Sequence, residues 1–138
     1  MKNSILMVTI LINLFSIHVF GQCGSGLVHS SNPTSIGIVI STNDLETVWN
    51  ALRFANFSKN QGDSVTIFLL GKGVELDNLV KTDTAIQNQT YKFLDGATIL
   101  GCGTCLKSRK INTPQFCTFS SMADLYILIR KSKIVMTF

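Results

Sequence analysis

The sequence predicts an α/β fold: a layered, mostly parallel sheet with helices on both faces. Three observations carry this. Short β-branched runs at Ile36 to Ile40, Val65 to Leu70 and Ala97 to Leu100 show no polar alternation, as strands buried on both faces require. Segments with helical spacing separate them. A last apolar run, Lys133 to Phe138, reads as one more strand. Strands alternating with helices at this spacing imply βαβ units, whose right-handed crossovers line the loops after the strands along one sheet edge. Ligands of open α/β sheets bind at that edge.

Each element has a local reason. Ile36-Gly-Ile-Val-Ile40 opens the ordered domain, which is expected over 36–138. Asn43 with Glu46 three residues on resembles a capping box, and Leu45, Val48, Trp49, Leu52 and Ala55 follow at helical spacing. Trp49 is read as core, and Gly62 stands where a left-handed C-terminal residue is wanted. Gly71-Lys-Gly73 ends the second strand and lacks the further spacing of a phosphate loop. Residues 74–88, with Glu75, Asp77 and Asp83, read as irregular. A second helix is expected from Gln87 to Leu94, closed by Gly96. Gly101 to Lys110 reads as a turn entering a short helix. Pro114 breaks the chain, and Ser120 or Ser121 caps a final helix bearing Met122, Leu125, Tyr126, Leu128 and Ile129.

With 138 residues there is room for one domain. Charged residues make up 14%, against about 25% in an ordinary soluble domain. Part of the gap lies at the start of the chain. Lys2 followed by the apolar run Ile5 to Phe20 and small Gly21 reads as a secretory signal over 1–21, rather than a retained anchor or a lipidation site at Cys23. The expected location is therefore exported, periplasmic or secreted, with no membrane association after cleavage. Residues 22–35 are rich in Ser, Gly, Asn and Pro and read as a flexible lead-in, with His29 as a solvated residue. Losing Lys2 takes one positive charge from the +4 of the whole chain and leaves +3. That is too small and dispersed to argue for a nucleic-acid partner.

Cysteine carries the candidate chemistry. Cys23, Cys102, Cys105 and Cys117 all follow the leader, and in an oxidising compartment four cysteines allow three pairings. Cys102-Gly-Thr-Cys105 stands after a buried strand at the start of a helix. Free amides and the helix dipole there stabilise a thiolate and lower its pKa. Gly101 and Gly103 let the backbone turn tightly beside a bound sulfur. Lys107, Arg109 and Lys110 add positive charge that favours a thiolate, a persulfide or another anionic sulfur species. Cys117 follows Pro114 and is a candidate for the same edge. Zinc would need four ligands, and neither a second cysteine pair nor a well-placed histidine completes a set, so no metal and no cofactor are expected. The residue pattern leaves three readings open: a reactive thiol site, a structural Cys102–Cys105 disulfide, and buried inert cysteines.

At these residues the chain resembles the DsrE-like family, which includes the DsrE, DsrF and TusD sulfur-relay proteins. The resemblance spans about Ile36 to Phe138. It is strongest over Ala97-Thr-Ile-Leu-Gly-Cys-Gly-Thr-Cys-Leu-Lys-Ser-Arg109, with support from Cys117 to Leu125, the Lys133 to Phe138 end and Gly73-Val74. It implies a flavodoxin-like layer fold that assembles into trimers or hexamers. It implies a cysteine after the third strand that accepts persulfide sulfur and passes it on, to and from a sulfur donor or acceptor protein or a small sulfur species. Cys102 matches that cysteine, and Arg109 matches a basic residue of the following helix. The apparent export and the extra Cys105 are departures from the relay proteins. The leading expectation is an exported thiol protein that carries or transfers sulfur on Cys102. Cys105 resolves it or forms a resting disulfide, and Arg109 and Lys107 stabilise the anion. The alternative is a non-catalytic oligomeric binding or assembly protein. A thiol–disulfide oxidoreductase ranks third, because no thioredoxin-like proline surrounds the site.

Overall fold

The computed structural model describes residues 32–138. The expected leader and most of the lead-in, with Cys23 and His29, lie outside them. Five strands and five α-helices follow in order: β1 (Ser35–Ile40), α1 (Leu45–Asn60), β2 (Ser64–Leu69), α2 (Leu76–Thr82), α3 (Thr84–Leu94), β3 (Ile99–Cys102), α4 (Gly103–Ser108), β4 (Thr118–Ser120), α5 (Met122–Lys131) and β5 (Ile134–Thr137). A 3-10 turn, Gly71–Glu75, joins β2 to α2.

The sheet order is β4-β3-β2-β1-β5 and every neighbouring pair is parallel. The expected α/β architecture is therefore present. The chain steps one way from β1 to β4, so right-handed crossovers place α1, α3 and α4 on one face. It then jumps from β4 at one edge to β5 at the other, which puts α5 on the opposite face. Gly37 of β1 is where α5 comes closest. A Cβ there would lie 2.7 Å from Ser132 Oγ and 3.3 Å from Leu128 Cγ. The core is a single cluster in which Ile38, Leu52, Ile67, Phe68 and Phe93 are wholly buried. Burying each such side chain contributes about 1.5–3 kcal/mol.

Several local expectations hold. Gly62 and Gly96 take positive φ, +94° and +82°, closing α1 and α3. Ser121 caps α5 in a reciprocal box with Asp124. Trp49 packs against the core, though only partly buried, with the Arg53 guanidinium 4.3 Å above its ring.

Others are corrected. Asp44, not Asn43, caps α1: its Oδ1 accepts the Thr47 amide at 2.9 Å and the Thr47 hydroxyl at 2.7 Å. Asn43 instead donates to Glu75. Residues 74–88 are not irregular but mostly helical. Leu76 and Val80 bury one stripe of α2, and Asp83 caps α3 by accepting the Ile86 amide at 2.8 Å. Polar residues on the outer faces hid that short apolar stripe. The third strand runs two residues later than read, because Ile99 and Leu100 register with Ile67 and Phe68. β4 was missed, being three residues at an edge with little apolar pattern. Order also begins before Ile36. Ser35 is in β1, and the Thr34 amide donates to Asp63 Oδ1 at 2.9 Å.

Candidate functional site

The parallel strands bring the loops after β1, β2, β3 and β4 to one edge, and the cysteine pair sits there. Cys102 is the last residue of β3 and the N-cap of α4. Its Sγ accepts the Cys105 amide at 3.4 Å, within the range of a sulfur hydrogen bond. The residue is only 4% exposed. Its sulfur has the amide donor expected of it but lies beneath the surface, and the more open thiol is Cys105, which is half-buried. Cys102, Cys105 and Cys117 are free thiols.

Cys105 does not have the lowered pKa expected of a thiol in this turn. Its pKa is raised, first by burial and then by the neighbouring Cys102; the Gly71 backbone and the nearby Arg109 oppose the rise. Six-residue α4 supplies too little field to outweigh desolvation.

Arg109 is at this edge, as expected, but it is already engaged. Its Nε donates to Glu75 Oε1 at 2.8 Å, and its Nη1 donates to the Cys105 carbonyl at 3.3 Å. Glu75 Oε2 accepts the Asn43 amide at 2.9 Å. One carboxylate thus ties the loops after β1, β2 and β3 together. Arg109 in the first place, with Asn43 and Lys72, holds the Glu75 carboxyl below its usual pKa. At this partial exposure the pair contributes at most about 1 kcal/mol, so its value is positional. Glu75 and Asn43 were missed as site residues, since nothing local links positions 34 apart. Lys107 is exposed. It lines a crevice of about 400 Å³ with Gly103, Thr104, Phe119 and Ser120, between the ends of β3 and β4. The helices after these two strands lie on opposite faces, the topological position favoured by ligands of open α/β sheets.

Gly101 and Cys117 are also brought together. A Cβ on Gly101 would lie 2.6 Å from Cys117 Sγ, so the glycine makes room for that thiol. Asp77 of α2 holds the segment before it. Its carboxylate accepts the Gln115 amide at 2.7 Å and the Phe116 amide at 3.3 Å. Burial, followed by the Asp77 charge, pushes the Cys117 thiol up to about 11. A folded-state pKa above the ordinary 9.0 means that folding disfavours the thiolate. The associated stability is full below about pH 9 and is lost as pH rises toward about 11. Urea unfolding at pH 8 and pH 11 is expected to show this loss, and the Cys117→Ser chain is expected to lose less.

Among the described residues no group of three or more His, Cys, Asp or Glu side chains is placed to hold a metal ion. No described helix is long and apolar enough to cross a membrane.

No curated protein matches the chain. A solved structure of a conserved protein of unknown function from Bacteroides thetaiotaomicron is similar, with 25% identity and a TM-score of 0.63, covering 76% of this chain and 95% of that one. The model of the DsrE/DsrF-like family matches residues 34–138, a span that takes in the whole sheet and both edge cysteines. With its all-parallel sheet and its cysteine at the end of the third strand, the chain belongs to the DsrE/DsrF-like family.

Proposed function

We propose that this chain is an exported thiol protein that carries sulfur as a persulfide on Cys102. The observation that carries the reading is the Cys102 sulfur, set at the end of β3 and bonded by the Cys105 amide, in a chain whose family resemblance implies a sulfur-accepting cysteine after this strand. In loading, the Cys102 thiolate attacks the outer sulfur of a donor persulfide or polysulfide. The new S–S bond forms at Cys102, and the donor's remaining sulfur leaves with the electron pair. No net oxidant or reductant is consumed. The amide donor stabilises negative charge on sulfur 102 both before attack and after departure.

Cyanide-labile sulfur and site-resolved mass spectrometry test the assignment. After incubation with inorganic polysulfide, the wild-type chain is expected to hold close to one labile sulfur. Cys102→Ser is expected to lose at least about nine-tenths of it. Labile sulfur at the wild-type level in that variant would show the assignment to be wrong. Export is tested by sequencing the N-terminus of the cellular protein, expected to begin after Gly21.

A second reading, an assembly protein, has one observation in its favour. Met122, Tyr126 and Ile129 of α5, spaced i, i+4 and i+7, are 61%, 65% and 46% exposed, a stripe of the kind that subunit interfaces cover. A trimer or hexamer is compatible with both readings, and solution mass measures it. Assembly alone is the better account only where the cysteine pair neither loads sulfur nor reacts.

A further inference from the structure

From the buried Cys102 sulfur and the half-exposed Cys105 whose amide bonds it, we infer that Cys105 is the outlet through which sulfur stored on Cys102 passes to a bulky thiol acceptor, such as a peptide or protein cysteine. The inference rests on the persulfide reading above and adds to it the path of the sulfur and the class of its acceptor.

Access is the first consideration. Cys102 is 4% exposed, and its sulfur lies under the first turn of α4. An in-line attack on the outer sulfur of a persulfide there must come from the side away from sulfur 102. A small anion can approach such a site, whereas a thiol on a peptide or protein brings a backbone with it. Cys105 stands between the two environments. It is half-buried, and its amide donates to the Cys102 sulfur at 3.4 Å.

The donors around Cys105 are the second consideration. The Gly71 backbone, in the loop after β2, favours negative charge on Cys105. Gly71 takes φ +54°, a left-handed conformation that glycine adopts without strain. Arg109 is held beside the same residue by Glu75 and by the Cys105 carbonyl. Residue 105 therefore has a polar backbone and a cation near it, from two different segments of the sheet edge. An inert filler thiol needs neither.

The transfer balances without an outside redox partner. The Cys105 sulfur attacks the outer sulfur of the Cys102 persulfide. A Cys105–sulfur bond forms, the Cys102–sulfur bond breaks, and its electron pair remains on sulfur 102. The proton released by Cys105 passes to sulfur 102. The persulfide now sits on the half-exposed residue, where an acceptor thiolate repeats the exchange. The competing route, in which Cys105 attacks the inner sulfur, releases hydrosulfide and leaves a Cys102–Cys105 disulfide that a reductant must reopen. Nothing in the transfer route calls for one.

The test compares full-length wild type with Cys105→Ser, both loaded with inorganic polysulfide, against two acceptors of different size. Transfer to glutathione is expected to slow at least about 10-fold in Cys105→Ser. Rates are taken per loaded sulfur, and cyanide release, which a small anion performs directly on Cys102, is the reference against which the glutathione rate is read. Quenched time points on the wild type are expected to place sulfur on Cys102 first and on Cys105 later. Glutathione transfer at the wild-type rate in Cys105→Ser overturns the outlet. So does failure of that variant to load, and so does sulfur found only on Cys102 at every time point, a measurement independent of any variant. These results leave the storage reading standing. Storage itself is refuted by full labile sulfur in Cys102→Ser.

Discussion

Gly73→Ala is expected to destabilise the chain by about 3 kcal/mol or more, the largest effect of any single methyl added here. A Cβ at Gly73 would lie 2.1 Å from the Ile40 carbonyl oxygen and 2.9 Å from its carbon. Both are backbone atoms of β1, so no side-chain rotation relieves the overlap. The Ile40 carbonyl already accepts the Leu70 amide at 2.9 Å, which pins the loop to the strand end. The 3-10 turn must therefore lift off β1, carrying the Gly71 amide and Glu75 with it. With a urea m-value of about 1.5 kcal/mol/M, the midpoint should fall by about 2 M. Gly96→Ala is the matched control. Unlike Gly73 it has a positive φ, but nothing lies within 4 Å of the added carbon, so only left-handed strain of about 1–2 kcal/mol applies. Equal costs at the two positions would mean that the turn does not rest on β1 as described. Because the turn carries Glu75, which holds Arg109 beside Cys105, any folded Gly73→Ala protein is also expected to alkylate at Cys105 with an altered pH profile.

Asp77→Ala is expected to cost about 3 kcal/mol and to loosen residues 115–117. Asp77 is 8% exposed, and its two oxygens accept the Gln115 and Phe116 amides. Hydrogen bonds to a charged group contribute about 1.5–3 kcal/mol each. Removing the carboxylate also strands two amides that had no other partner to turn to. Thermal or urea unfolding measures the loss. Asp77→Asn separates charge from geometry, since it keeps one acceptor oxygen and removes the charge. In that variant the Cys117 pKa is expected to fall from about 11 yet stay above its ordinary value, because burial is the larger cause and persists. A rate-versus-pH profile of Cys117 alkylation reads this directly. An unchanged profile in Asp77→Asn would count against the assigned role of the Asp77 charge.

Both predictions concern residues that bear on the sulfur edge without being cysteines, and neither was picked out as a site residue in the sequence. Gly73 was noted as the end of a strand and as part of the family's Gly-Val turn. Asp77 fell in a stretch read as irregular. The apolar periodicity of α2 is too short to stand out, and only its docking against the core reveals it. The strand β3 was placed two residues early for a related reason. Ala97 and Thr98 suit a strand as well as their neighbours do, and only pairing with β2 chooses among registers. The cysteine pair, by contrast, was legible as a turn between strand and helix, because Gly101, Gly103 and the C-x-x-C spacing are local. Its electrostatics were not. The helix was expected to lower the thiol pKa, but burial beside a second sulfur raises it at Cys105.

Local patterns in the chain determined the class of fold, three helix ends and the place of Cys102 between a strand and a helix. Each of these depends on residues a few positions apart, where propensity, capping and buried-strand composition act. The tertiary structure alone decided that Glu75 would hold Arg109, that Gly71 would lie beside Cys105, that Asp77 would face Cys117, and that Cys105 rather than Cys102 would lie nearer solvent. Those outcomes depend on how far each strand slides against its neighbour and how closely each loop settles on the sheet edge. Such distances are fixed by packing among residues more than thirty positions apart, and no local pattern encodes them.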